Sequence, residues 1–181
     1  MLKSLRIWLA NQAADPLRRF VPFFLLYLAG IAYFSFGLDA WPSFINWLSE
    51  TAAILCYWTL VPFTDHVSRI GTIVVYDGFT VEVIGECAGV MEFMIFGAAV
   101  FAYPARWRKR LAGILIATPI LFVFNVMRID GLLFVGRYAP DMFDFAHFYF
   151  WQAGTILVIW GLWMIWLRFV IRVDYGASLR A

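Results

Sequence analysis

From Leu111 to Ile129 the chain runs 19 residues with a single charge, Arg128. As a helix at 1.5 Å per residue this run spans about 28 Å, close to the hydrocarbon thickness of a bilayer. Composition decides whether it is a buried core helix or a membrane span. Hydrophobic residues make up 64% of the 181 residues and charged ones only 14%, against about 45–50% and about 25% in soluble domains. A soluble fold of this size cannot hide that much apolar surface, because a domain of about 150 residues still exposes roughly 30% of what its unfolded chain exposes. Disorder, a disulfide scaffold and an ordinary cytosolic enzyme are set aside, and an integral membrane protein remains. A formal net charge of +2 is too small to point to nucleic acid.

The remaining apolar runs sort by their flanks. Phe20 to Phe36 is a first span, preceded by a short interfacial segment (1–19) that Pro16 interrupts. Asn46 to Phe63 is apolar but carries Asn46, Ser49, Glu50 and Thr51 in its first turns. A further helix begins near Cys87-Ala88-Gly89 and reaches about Tyr103. Asp130-Gly131 ends or bends the 111–129 span, residues 137–147 form a polar connection, and Phe148 to Leu167 is the last span. Between them, residues 70–84 place β-branched runs around Asp77-Gly78, which signals a hairpin. Phe79, Val81 and Val83 face one side of it, Thr80 and Glu82 the other. Open strand edges do not sit in lipid, so the hairpin belongs at or outside the membrane surface.

Basic residues orient these segments. The N-terminus, the loop 104–110 and the C-terminus carry 11 of the 14 Lys and Arg, so all three face the cytoplasm. The expected fold is an all-α polytopic membrane protein forming a single domain over 1–181. It has about four transmembrane helices, a short outer-face β-hairpin near 70–84 and catalytic helices over 87–167. No crossing is left for 46–63, which reads as a re-entrant or interfacial helix, with a fifth span as the alternative.

This topology brings Cys87, Arg128 and His147, distant in sequence, to one layer near the outer surface. Each has an ordinary structural reading. A cysteine at a helix start is more often inert than nucleophilic, Arg128 can pair with Glu92 or Asp130, and His147 can be a plain interfacial residue. His66 reads the same way, with no partner to place beside it. Glu92 and Asn125 can form a structural polar pair. Together the three describe acyl transfer. A thiolate is favoured before a helix N-terminus and beside a guanidinium, His147 serves as acid and base, and Arg128 can stabilise an oxyanion. Asn125, one turn before Arg128, faces the same way. Cys56 and Cys87 are too few for a disulfide framework, and no Cys/His spacing points to a metal.

Glu86-Cys87-Ala88-Gly89 resembles the nucleophile motif of the exosortase/archaeosortase membrane transpeptidases, and Asn125-Val126-Met127-Arg128-Ile129 resembles their asparagine–arginine segment. His147 matches the third position, which is His in exosortases and Arg in archaeosortases. The resemblance covers roughly residues 70–165. The chain is shorter than many members, a compact subtype similar to exosortase H, and Ala88 stands where many have Ser. The resemblance implies a membrane-embedded cysteine transpeptidase or protease that cuts C-terminal sorting signals of membrane-anchored proteins through a thioester. It implies Cys87, Arg128 and His147 as catalytic residues, with Asn125, Glu86 and Glu92 supporting or binding substrate, and no metal or organic cofactor. Its implied partners are proteins bearing a short C-terminal motif, a transmembrane helix and a basic tail, together with the lipid bilayer. The implied setting is the bacterial inner membrane, with the site facing outward. The competing expectation is a non-enzymatic small transporter, channel or scaffold subunit in which Arg128, Glu92 and Asn125 line a polar path or lock the bundle. Against it, the chain shows no internal repeat of the kind many transporters carry.

Overall fold

The computed structural model describes residues 16–37, 41–85 and 87–178. The expected interfacial stretch lies mostly, and Glu86 wholly, outside them. Among the described residues five long helices carry the fold: α1 (Pro16–Gly37), α2 (Trp41–Leu60), α3 (Val90–Ala102), α4 (Trp107–Tyr138) and α5 (Trp151–Ser178). The described part of α1 begins at Pro16, a position where a proline's missing N–H costs nothing. α2 ends in a 3₁₀ turn, Val61–Phe63, and Thr51 and Thr59 satisfy their hydroxyls on the carbonyls of Trp47 and Cys56, both at 2.8 Å.

Between α2 and α3 stands a three-stranded antiparallel sheet in the order β1 (Val67–Ile70), β2 (Ile73–Tyr76), β3 (Phe79–Glu82). The Asp77-Gly78 turn forms as expected, with both residues at positive φ (46° and 87°), which matches the right-handed twist of the flanking strands. Tyr76 pairs with Phe79 and Val74 with Val81. Val74, Tyr76 and Val83 are buried while Thr80 and Glu82 are exposed, so the expected alternation holds. The expected hairpin is incomplete, however. A second two-residue turn at Gly71-Thr72 adds β1, whose four residues and inward Arg69 give little strand signal. The sheet is fastened to the end of α4: Tyr76 packs on Phe134 at 4.9 Å between ring centroids, Phe79 covers Gly136, and Arg137 Nε donates to Asp77 Oδ2 at 2.6 Å. The Tyr76 hydroxyl, hydrogen-bonded to Tyr138 and buried, is pushed up to about 12.

α4 corrects three expectations. It does not stop or bend at Asp130-Gly131 but continues to Tyr138, 32 residues in all, or about 48 Å. Asp130 does not break it because Thr59 donates to its Oδ2 at 2.8 Å, and Gly131 gives room for Trp151 to lie against the helix. At its other end the basic loop 104–110 is mostly helix. Lys109 is buried, its Nζ donating to Val170 O at 3.2 Å, and Trp166 Nε1 donates to Lys109 O at 2.9 Å. The polar connection 137–147 is helical too, running through Pro140–Met142, Phe143–Phe145 and a π-helical turn, Ala146–Phe150, into α5.

Among the described residues two segments, Trp107–Tyr138 and Pro140–Val170, are long and apolar enough to cross a bilayer, and Arg19–Tyr33 and Val90–Ala102 are shorter apolar helices. Large apolar side chains on their outer surfaces stand exposed, among them Leu115, Ile116, Leu157, Trp160 and Ile165. Such a belt is foreign to soluble monomers and ordinary against lipid. Buried residues cluster at the two ends of α4: Cys56, Leu60, Val74, Cys87, Ile129 and Leu133 at the sheet end, and Phe96, Val100, Leu121 and Trp166 at the Lys109 end.

Candidate functional site

The site forms where α3 and α4 face each other at the sheet end. The two helices are joined by four residues and run antiparallel. β3 leads through Val83-Ile84-Gly85 into a turn in which Cys87 N bonds to Ile84 O at 2.9 Å and Ala88 N to the same carbonyl at 3.0 Å. Gly89 then caps α3 at φ 85°, a left-handed conformation that favours glycine. Its missing Cβ matters as well, because one built there would meet Asn125 Nδ2 at 2.5 Å. Gly89 therefore lets the cysteine turn close directly onto Asn125. Cys87 is buried, in one apolar cluster with Val126 and Ile129 of α4.

Glu92 and Arg128 complete this layer. Side chains on a helix lean toward its N-terminus, so on antiparallel helices Glu92 of α3 and Arg128 of α4 lean toward one another. Arg128 Nη1 and Glu92 Oε1 stand 3.6 Å apart, with both side chains less than a tenth exposed. Asn125 is fully buried and donates through Nδ2 to Leu121 O at 2.9 Å. Glu92 Oε2, Asn125 Oδ1 and Arg128 Nε are buried without a hydrogen-bond partner. Two acceptors and one donor are thus gathered inside apolar helices, where unmatched polar groups are costly.

The structure pairs Arg128 with Glu92, sets Gly89 against Asn125, and puts Cys87 in the cluster of Val126 and Ile129 on the same helix. It resolves the alternatives for Arg128 in favour of Glu92. Asp130 faces the other way, toward Thr59 of α2. His147 is half-buried in the π-helical turn, its ring against Phe148 at 4.8 Å and Phe143 at 5.7 Å. Trp151 rests on Gly131, which places His147 about 6 Å nearer the sheet end than that contact, one helical turn. His66 is exposed, and its carbonyl accepts from Asp77 N in the sheet. Cys56 and Cys87 are not joined in a disulfide.

An apolar cleft of about 610 Å³ opens beside this layer. It runs from Val90 and Met94, just past Cys87, along α3 to Phe101, with Trp47 of α2 and Thr118 of α4 on its walls. Sequence reasoning missed the cleft, the Gly89–Asn125 approach and the cluster of Asp130, Thr59 and Cys56. Only Gly89, a glycine opening an apolar helix, left a trace in the sequence.

Comparison with known proteins adds one finding. The sequence model of the family described as transmembrane exosortase matches residues 7–169. No curated protein and no solved structure matches the chain.

Proposed function

The chain belongs to the transmembrane exosortase family, and from that premise we propose that it is a membrane-embedded cysteine transpeptidase or protease acting on membrane-anchored proteins. The observation that carries the reading is the closure of the Cys87 turn onto the Asn125–Arg128 face of α4 through Gly89. In the proposed reaction the Cys87 thiolate attacks the scissile carbonyl carbon. Arg128 stabilises the oxyanion of the tetrahedral intermediate. His147 takes the thiol proton and passes it to the leaving amine as the C–N bond breaks. A thioester remains on Cys87 until an amine or water attacks it and releases the thiol. Asn125 and Glu92 hold Arg128 in place, and Glu86 adjoins the nucleophile.

The substrate is a protein whose C-terminal sorting signal includes a transmembrane helix and a basic tail. The apolar cleft supports this part of the reading. It runs from the level of Cys87 away from the sheet, the direction a membrane segment following the scissile bond must take. The sheet end faces the periplasm or outer surface of the bacterial inner membrane, and the Lys109 end faces the cytoplasm, where the basic residues gather. α2 is a re-entrant helix in this topology. Its contacts with Ala88 and Val90 at its N-terminal half and with Asp130 and the sheet at its C-terminal half support this reading.

The test is a processing assay in membranes on a protein bearing such a C-terminal signal. Cys87→Ala should abolish cleavage, and Arg128→Gln should reduce it by about 10²–10³, the usual loss of one oxyanion donor. Full activity in Cys87→Ala removes the assignment.

A further inference from the structure

We infer that the free edge of β3 is a docking strand. An extended peptide, the acyl half of the substrate, adds to it in parallel with its C-terminal carbonyl at Cys87. The inference rests on the reading of Cys87 as nucleophile.

The pairing pattern fixes which amides are available. In an antiparallel ladder, hydrogen-bonded and non-bonded residue pairs alternate. Tyr76–Phe79 closes the two-residue turn, and Val83 N bonds to Thr72 O at 2.9 Å, so Phe79, Val81 and Val83 spend their backbone groups on β2. Thr80 and Glu82 point theirs away from β2, and β3 pairs with no other strand among the described residues. Both residues are exposed. The opposite edge is different. β1 packs along α2, and Arg69 is tied to Gly71 O at 2.6 Å and lies 3.8 Å from Glu50. β3 carries no proline and no lysine, and its short length and Glu82 are its only guards against edge pairing.

Position and direction name the occupant. Glu82 is five residues before Cys87, so a strand laid along β3 in its direction heads toward the Cys87 turn. An acyl-enzyme retains the N-terminal part of its substrate, bound through its last carbonyl. A peptide held that way and lying along β3 runs in the same direction as β3. On the inner face Phe79 meets Phe143 at 5.4 Å, one turn before His147, so β3 is linked to the segment carrying the proposed acid/base. Main-chain pairing of this kind supplies affinity while side-chain pockets supply selectivity.

The test uses the full chain in lipid nanodiscs, in a Cys56→Ala background, and a synthetic probe. The probe is a six-residue peptide of alternating threonine and valine ending in a cysteine amide activated as its 2-pyridyl disulfide. The Cys87 thiolate attacks the peptide's sulfur, pyridine-2-thione leaves, and the peptide stays tethered by a mixed disulfide. Amide hydrogen exchange is then read with and without the tether. Exchange at Thr80 and Glu82 should slow by roughly tenfold or more, the order expected when an exposed amide gains a hydrogen bond. Phe79 and Val81 should change little. Thr80→Pro, which deletes only an outward N–H, should remove the protection at Glu82, and Thr80→Val should keep it. A tethered peptide that leaves Thr80 and Glu82 unprotected, or protects Val67 and Arg69 instead, overturns the docking strand alone. No release of thione overturns the Cys87 reading and the docking strand with it.

Discussion

Arg128 and Glu92 are a buried ion pair whose members cannot be changed separately without cost. Glu92→Ala leaves a guanidinium uncompensated among apolar side chains, and about 3–5 kcal/mol of stability should be lost. Unfolding in detergent measures this, and a loss below about 1 kcal/mol would show that Arg128 does not depend on Glu92. Gly89→Ala should cost about 1–2 kcal/mol for its left-handed backbone alone, and more because the new methyl group drives into Asn125. Asn125→Ala in that background should recover part of the loss, so a double-mutant cycle must be non-additive. Strict additivity would contradict the Gly89–Asn125 contact. One topological argument from the sequence put Cys87 and Arg128 at the same depth, and the structure sets the Cys87 turn against the helix that carries Asn125 and Arg128. The sequence did not reveal which acid Arg128 takes. Asp130, two residues on along the same helix, faces away toward Thr59, and the antiparallel lean of α3 and α4 selects Glu92.

At the scale of elements, the chain is most readable where local chemistry alone decides the structure. Asp77-Gly78 requires two positive φ angles, and it forms the turn expected of it. β1 was invisible because four residues with an arginine on the inner face exist as a strand only through pairing with β2. The length of α4 was hidden for a similar reason. Asp130-Gly131 reads locally as a stop, but Thr59 on α2 and Trp151 beside α5 supply the partners that let the helix continue. The sheet's hold on α4 is mainly apolar. Arg137 and Asp77 are both partly exposed, so Arg137→Ala should cost no more than about 1 kcal/mol. Tyr76→Ala, which empties a buried site against Phe134, should cost about 3–5 kcal/mol. Equal losses for the two variants, measured by chemical unfolding, would contradict this division.

For the whole molecule, scarce charge sets the arrangement. A basic end, a sheet end and one polar layer between α3 and α4 account for the position of most charged groups in an otherwise apolar chain. The orientation is checked by labelling with an impermeant maleimide in spheroplasts, with both native cysteines replaced by alanine. Ser68→Cys should react in intact spheroplasts and Pro104→Cys only after permeabilisation, and the opposite pattern would invert the topology. The family match covers nearly the whole chain, so the chemistry proposed for it stands or falls on one thiol. The most direct measurement is the mass of the protein after acid quenching during turnover of a membrane-anchored substrate, followed by peptide mapping. The account predicts a hydroxylamine-sensitive acyl adduct on the peptide containing Cys87. An adduct on Cys56, or undiminished processing with Cys87 unmodified, would contradict it.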